Sequence, residues 1–591
     1  MPSALFEIRD RFARAFVEAF GPEFADRDPI LRPATDARFG DYQCNAAMSL
    51  AKELKAKPRE VAEKIISVLD ISDICEAPEI AGPGFINLRL SRGWLAGRLE
   101  GVLGDPRMGL ERASRPARVV VDYSGPNIAK EMHVGHLRSM VIGDAIAAVL
   151  EFLGHEVIRQ NHLGDWGTHI GMLLAHMFET FDRSTIESGG FRIADLDSFY
   201  RDAQGRYSSD ADFAAKARAT LVALQSGDES TLRAWEAWRG ESIRHCEQIY
   251  ERFGVRLSSE DIRAESDYRD DLAAVVDELL NARKLAVVDQ GAVCIFLEGF
   301  KTKEGTPLPV LIRKSDGGYL YATTDLAAIR YRVQKLAAER VIYLTDARQT
   351  LHFQQIFAAV GKAGWDVVPE TGERARLEHV TFGSVLGEDG RPLKTRSGEN
   401  VKLKDLLEES IEHAQAVVDS KNPDLPSEKR RYIAEAVGVG AVKYADLSQN
   451  RNSDYIFSFE KMLALDGNTA PYMMYAYARI KSIERKGQVE AGDLPTDARI
   501  VLDEPAEENL AKKIIQFGEV VGDVDENLRP NLITSHLYEL SQAFSVFYEN
   551  CPVLKAATAE RRVSRLWLCD LTARTLKIGL DLLGIRTLEQ M

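Results

Sequence analysis

The sequence predicts an α/β protein with a parallel-sheet core split by an insertion, an α+β module before it and an all-α helical bundle after it. Three observations predict this. The β-branched run "RVVVDY" (118 to 123) is followed by a helical apolar pattern and then by "EVIRQNHLGDWG", the strand–helix–strand order of a parallel sheet. That signal gives way from 190 to about 300 to charged segments with helical spacing, and returns at "YLYATTDLAAIRYR", "RVIYLTDARQTLHFQQIF" and "LEHVTFGSVLG". From about 425 onward the pattern is almost wholly helical.

Each element has a local reason. In the first module, Val61, Ile65 and Val68 of "EVAEKIISVLD" share a helix face, and "AGPGFINLRLS" reads as a turn into a strand led by Phe85 and Ile86. A tight "SGPN" loop follows the strand that ends at Tyr123. From Val134 to Leu153 the apolar residues Leu137, Val141, Ala145, Ala148 and Phe152 lie on one side, and Gly154 is a natural stop. "DFAAKARATLVALQ" typifies the helical insertion. In the C-terminal region a polar, proline-containing stretch, "GQVEAGDLPTDARIVLDEPAEENL", is expected to be a long loop. The chain shows no internal repeat and no low-complexity tract.

Composition narrows the class. A chain of 591 residues is too long for one hydrophobic core, and 45% hydrophobic with 28% charged residues is ordinary for a soluble protein. No apolar run approaches the roughly 18 residues that suggest a membrane span. The N-terminus is charged from Glu7 and lacks the apolar core of a signal peptide, while Glu7 and Asp10 argue against a transit peptide. The six cysteines include no CxxC pair, which fits a reducing cytoplasm and offers no thiolate zinc site. A net charge of −15 argues against a general polyanion binder but permits a local basic face.

His133 and His136 flank Val134 and Gly135 at the start of the central helix. Three readings are open. A metal site lacks an HExxH, a cysteine partner and an acid at a matching helical offset, so no metal is expected. Alternatively, the pair simply caps the helix. The third reading is phosphate: a helix start above the carboxyl edge of a parallel sheet presents unpaired N–H groups, and imidazoles there can donate to phosphate oxygens as charge develops. Gly135 would let a base or ribose approach the backbone. There is no Walker A sequence to compete as a nucleotide site.

The stretch from Pro126 to His136 (Pro126, Asn127, Ile128, Ala129, Lys130, Glu131, Met132, His133, Val134, Gly135, His136) carries "HVGH", which resembles the HIGH signature of class I aminoacyl-tRNA synthetases. With "GDWGTHIGML", "YLYATTDLAAIRYR", "TDARQTLHFQQIF", "GEDGRPLKTRSGENVKL", "GDYQCN", "GPGFIN" and "APYMMYAYARIKSI", nearly the whole chain is similar to the arginyl-tRNA synthetases. The resemblance implies a split Rossmann-type core that activates L-arginine with ATP and Mg²⁺ to arginyl-adenylate, releases pyrophosphate, and passes arginine to the terminal adenosine of tRNA(Arg). It implies a cytoplasmic monomer, with activation that typically awaits bound tRNA. The expected domains are 1–112 (tRNA corner), 113–190 and 301–400 (core halves), 191–300 (insertion), 401–454 (connection) and 455–591 (anticodon binding).

The resemblance also assigns roles. His133 and His136, with Gly135, would serve ATP. The second class I signature, usually KMSKS, is here "PLKTRSG", so Lys394 and Arg396 are both candidates for phosphate contact, beside Lys130, which precedes the first signature. His169 stands where the family usually has glutamine. Arginine is a flat fork of donors that asks for carboxylates. Asp325 lies one helical turn beyond Tyr321, so both can face one pocket. By resemblance Tyr321, Asp325 and Gln349 line the arginine pocket, with Asp122 and Asn127 nearer the amino end; His352 and Gln355 would help hold adenosine. For tRNA, Tyr475, Arg479 and Lys481 combine stacking rings and cations, and Arg561, Arg562, Arg565, Arg574 and Lys577 offer a second basic face. Two alternatives remain: a class I synthetase for another amino acid, disfavoured by Asp122, Tyr321 and Asp325, and a catalytically dead RNA-binding relative, disfavoured by the intact His133, Gly135 and His136.

Overall fold

The computed structural model describes residues 4–34, 36–188, 190–395, 400–489 and 491–591. Its centre is a four-stranded sheet in the order Arg376–Phe382, Arg340–Asp346, Arg118–Asp122, Glu156–Gln160, with every neighbouring pair parallel. Val119, Val120 and Val121 are fully buried, as a strand covered on both faces requires. The helix Val134–Phe152 crosses from the first strand to Glu156–Gln160. It lies so close to the sheet that a Cβ at Gly143 would sit 2.4 Å from the Tyr123 side chain, which is why that turn carries glycine. Helices Tyr321–Gln334 and Thr350–Ala363 complete the other half, in a separate apolar cluster.

The N-terminal module is a small antiparallel sheet (Leu31–Pro33, Tyr42–Cys44, Phe85–Leu88, Glu79–Ala81) with helices Ala4–Phe20, Ala46–Leu54 and Pro58–Val68. "GDYQCN" is structural here. Tyr42 is buried and donates to Glu519 of the helix Pro505–Asn527 (2.9 Å), and Cys44 is buried against the Pro29 carbonyl. The C-terminal region is helical as expected, with helices Ala470–Gly487, Pro505–Asn527, Asn531–Asn550 and Ala559–Leu582. It joins the core through Arg340, whose guanidinium bridges Asp525 (2.8 Å) and Glu378 (2.5 Å). Among the described residues no helix is long and apolar enough to cross a membrane.

The insertion departs from its expected boundary. Helices Leu196–Ser209, Ala211–Gln225 and Glu229–Phe253 form an apolar cluster around Trp238, which also takes in Ile128 and Ala129 of the signature segment. An antiparallel sheet, Ala286–Asp289, Ala292–Lys301 and Pro307–Arg313, then runs straight across residue 300. The hairpin is closed by Thr302 and Thr306, whose backbones bond at 2.8 Å, so a domain limit at 300 would cut one sheet in two.

Candidate active site

The chain leaves the first core strand toward Glu156–Gln160 on one side and reaches Arg340–Asp346 on the other, so the order reverses between Arg118–Asp122 and Arg340–Asp346. A parallel sheet opens a crevice at the carboxyl ends of such strands. Here the crevice is a cavity of about 910 Å³. The loop after Asp122 is locked into it. Ser124 adopts φ 72°, unusual for a residue with a Cβ, and is held by its N–H on Ser139 Oγ (2.9 Å) and its hydroxyl on Tyr250 (2.8 Å). Ser139 Oγ donates in turn to the Leu344 carbonyl at 2.9 Å, pinning the central helix to the neighbouring strand end.

Of the three readings of the histidines, the cap is present in the structure. Both cap the helix: His133 Nδ1 accepts from the Gly135 N–H (3.0 Å), and His136 Nδ1 accepts from the His133 N–H (3.1 Å). An imidazole nitrogen that accepts carries no proton, so each ring is the Nε2–H tautomer and keeps one donor for the cavity it lines. Burial pulls His133 below the ordinary range, and burial with His133 alongside pulls His136 to about 3. Both are therefore neutral donors near pH 7. Gly135 lines the cavity, and a Cβ there would meet the His133 ring at 2.8 Å, so the cap itself requires glycine at this position. Among the described residues, the acidic trio close enough to share an ion, Glu131, Asp195 and Asp197, surrounds the Lys402 ammonium instead.

Asp122, Asn127, Tyr321, Asp325, Gln349 and His352 all line the same cavity. Their partners differ. Asp122 is buried and already neutralised by the fully buried Arg332 (2.8 Å), which also donates to Gln160 at 2.6 Å. Asp122 thus has a structural charge partner, and the more open carboxylate is Asp325, held by His352 Nε2 at 2.6 Å. His352 consequently stands at the Asp325 end of the cavity. Gln355 does not line the cavity; it is buried and donates to the Leu308 carbonyl of the antiparallel sheet (3.3 Å). It shares a helix face with His352 but lies one turn further on, where that face meets the sheet instead of the cavity.

The cations are less concentrated than the spacing suggests. Lys130 lies outside the large cavity with its ammonium 4.6 Å from the Tyr200 ring centre. Lys394 is exposed at a hairpin stem where it bridges to Asn400, while its neighbours Pro392 and Leu393 do line the cavity. Arg396 lies outside the described residues. His169 is not among the lining side chains.

Glu265 was not singled out by sequence. It lines the cavity with Tyr321 and Asp325, and burial, with Asp165 and Asp325 nearby, pushes its carboxyl up to about 8. In "AESDYRD" it is one acid among several, and only the fold gives it this place. A raised acid stabilises the fold below its ordinary range and loses that contribution as pH climbs through about 8.

On the helical domain, the exposed Tyr475 and Tyr548 flank Arg479, whose guanidinium lies 5.0 and 5.4 Å from their ring centres. Lys481 is instead ion-paired with Glu484 at 2.8 Å. The second basic face is largely neutralised: Arg561 pairs with Asp503, Arg565 with Glu507, Arg574 with Asp570 and Lys577 with Asp581.

Comparison with known proteins follows the same three divisions. Residues 99–459 match a family model described as "tRNA synthetases class I (R), catalytic domain", 473–591 the "DALR anticodon binding domain", and 7–90 the "Arginyl tRNA synthetase N terminal domain". A protein of Synechococcus elongatus named arginine–tRNA ligase is 51% identical over 598 residues, with 100% of both chains covered. One of Chromobacterium violaceum with the same name is 48% identical, with 99% of each covered. The crystal structure of arginyl-tRNA synthetase from Plasmodium falciparum is similar with a TM-score of 0.86 at 32% identity, and the Thermus thermophilus arginyl-tRNA synthetase with 0.78 at 25%; each covers 100% of both chains.

Proposed function

The chain belongs to the class I arginyl-tRNA synthetases, and from this premise we propose how its cavity divides the work of joining arginine to tRNA(Arg). Activation begins when the arginine carboxylate attacks the α-phosphorus of ATP. The bond to the bridging oxygen breaks, pyrophosphate leaves, and a mixed anhydride remains. ATP enters as its Mg²⁺ complex, the metal being part of the substrate. Negative charge grows on the phosphate oxygens in the transition state, and the Nε2–H groups of His133 and His136 donate to them there. The terminal ribose hydroxyl of tRNA then attacks the arginyl carbonyl and AMP leaves. Lys130, Lys394 and Arg396 are the cations assigned to the departing phosphates, and Arg479 beside the exposed Tyr475 is the tRNA contact assigned on the helical domain. We assign the protein to the cytoplasm and to a monomeric state.

Asp325 and Glu265, with Tyr321, hold the guanidinium, and Gln349, Asn127 and Asp122 stand by the remainder of the amino acid. The single observation that carries this reading is that two neutral histidine donors and an acidic niche share one cavity at the sheet's switch point. The test is arginine-dependent exchange of pyrophosphate into ATP, with and without tRNA. Exchange that responds only to arginine, and only when tRNA is present, is expected; a response to another amino acid would overturn the reading.

Glu265 gives this niche a proton signature. Without ligand it holds its proton up to about pH 8, and an arriving guanidinium favours the carboxylate. Binding near neutral pH therefore releases up to about one proton, and arginine affinity rises with pH toward 8. Calorimetry in two buffers of different ionisation heat measures that release. In Glu265→Gln the release is expected to vanish; an unchanged proton count would remove Glu265 from the niche.

A further inference from the structure

The hairpin stem that borders the histidine end of the cavity is tied down from outside it. Pro392, Leu393 and Asn400 line the cavity, and Lys394 bridges to Asn400. Beyond Asn400 the chain runs antiparallel to the signature segment: the Val134 N–H donates to the Val401 carbonyl (2.9 Å) and the Leu403 N–H to the Met132 carbonyl (3.0 Å). Lys402 stands between these two bonds. Its ammonium lies 2.9 Å from Glu131, 3.1 Å from Asp195 and 3.9 Å from Asp197. Glu131 belongs to the signature, whereas Asp195 and Asp197 open the insertion helix Leu196–Ser209. The Glu131 N–H also donates to Asp197 at 3.1 Å, so signature and insertion are bonded to each other as well as to the lysine.

We propose that Lys402 is a positioning residue, an ionic latch through which the insertion holds the hairpin stem against the signature and so sets the ATP end of the cavity. An isolated surface ion pair would contribute little. This one differs in joining three carboxylates from two domains to one ammonium that is only a quarter exposed, flanked on both sides by backbone hydrogen bonds. Burial alone would lower the lysine, yet Glu131 and Asp195 hold it above its ordinary value. Asp195 touches nothing in the cavity, but its two oxygens divide the labour: one caps its helix at the Ser198 N–H (2.9 Å), the other meets Lys402. The inference rests on the reading that ATP occupies the histidine end.

The test uses the full chain with Lys402→Met, Lys402→Arg and Asp195→Asn. Asparagine can keep the helix cap and loses only the charge. Two readouts are taken: the ATP and arginine Michaelis constants in pyrophosphate exchange, and hydrogen exchange at the Val134 and Leu403 amides. Displacement of a bordering element by an ångström costs on the order of 10- to 100-fold, so Lys402→Met is expected to raise the ATP constant on that scale. The arginine constant should stay within about twofold while both amides exchange faster. Lys402→Arg should restore both readouts, and Asp195→Asn should reproduce part of the shift. Parallel movement of the ATP and arginine constants, or no rescue by arginine, would overturn the latch. Faster amide exchange with an unmoved ATP constant would also overturn it, because the stem would then position nothing. The ATP assignment itself stands or falls separately, on His136→Ala.

Discussion

With alanine at position 136, turnover in arginine-dependent pyrophosphate exchange is expected to fall by on the order of 10²–10³, while tRNA binding stays nearly unchanged. The magnitude separates the cap that the structure shows for this ring from the donor role proposed for it. As a cap, His136 accepts one backbone N–H, and losing a cap costs about 0.5–2 kcal/mol of stability without touching the barrier. As a donor, its Nε2–H meets charge that exists only in the transition state, and losing such a donor costs about 2.7–4 kcal/mol of that barrier. A variant that melts earlier but turns over normally when folded would reduce His136 to the cap. The tautomer adds a second check. His136 is held at about 3, so it should not titrate between pH 5 and 8, and burial holds His133 below its ordinary range as well. The turnover of the parent enzyme at saturating arginine should therefore show no limb near 6.5 from His136; such a limb, lost in the variant, would mean that an imidazolium is the working species.

What could be read in the sequence was local. The parallel core is legible because "RVVVDY" and "RVIYLTD" are short β-branched runs next to strongly periodic helices, and the signature histidines because their spacing sits on a helix start. Asp325 is legible through its one-turn offset from Tyr321. The antiparallel sheet at 286–313 is not read, although its strands "AVVD", "AVCIFLEGFK" and "PLPVLIR" are apolar and β-branched, because the charged helical segments before it set the reading of the whole insertion. Nor is Glu265, whose raised carboxyl is a product of burial beside Asp165 and Asp325. Arg332 and Lys402 are ordinary cations until the fold sets one on Asp122 and the other among three acids. Gln355 fails for the related reason that helical periodicity says which residues share a face but not what that face meets; here it meets the Leu308 carbonyl.

Asp325→Ala is expected to raise the arginine Michaelis constant by the equivalent of about 2–5 kcal/mol, well before the constant for ATP moves. Of the two acids proposed to hold the guanidinium, Asp325 should carry the larger share. Glu265 enters the encounter protonated at neutral pH and must give up its proton first, which offsets part of its attraction. Asp325 faces the cavity with His352 Nε2 already on one oxygen at 2.6 Å, leaving its other oxygen for one arm of the fork. His352 fixes the direction of that carboxylate, so Asp325→Asn should recover little: an amide keeps the shape but has one acceptor where a carboxylate offers two, and no charge. Asp122 should behave differently. Its charge is committed to Arg332, so an Asp122→Asn change leaves a buried guanidinium short of its partner and should appear first as lost stability. An arginine constant that is unchanged in Asp325→Ala but raised in soluble, folded Asp122→Asn would reverse the assignment of the two carboxylates.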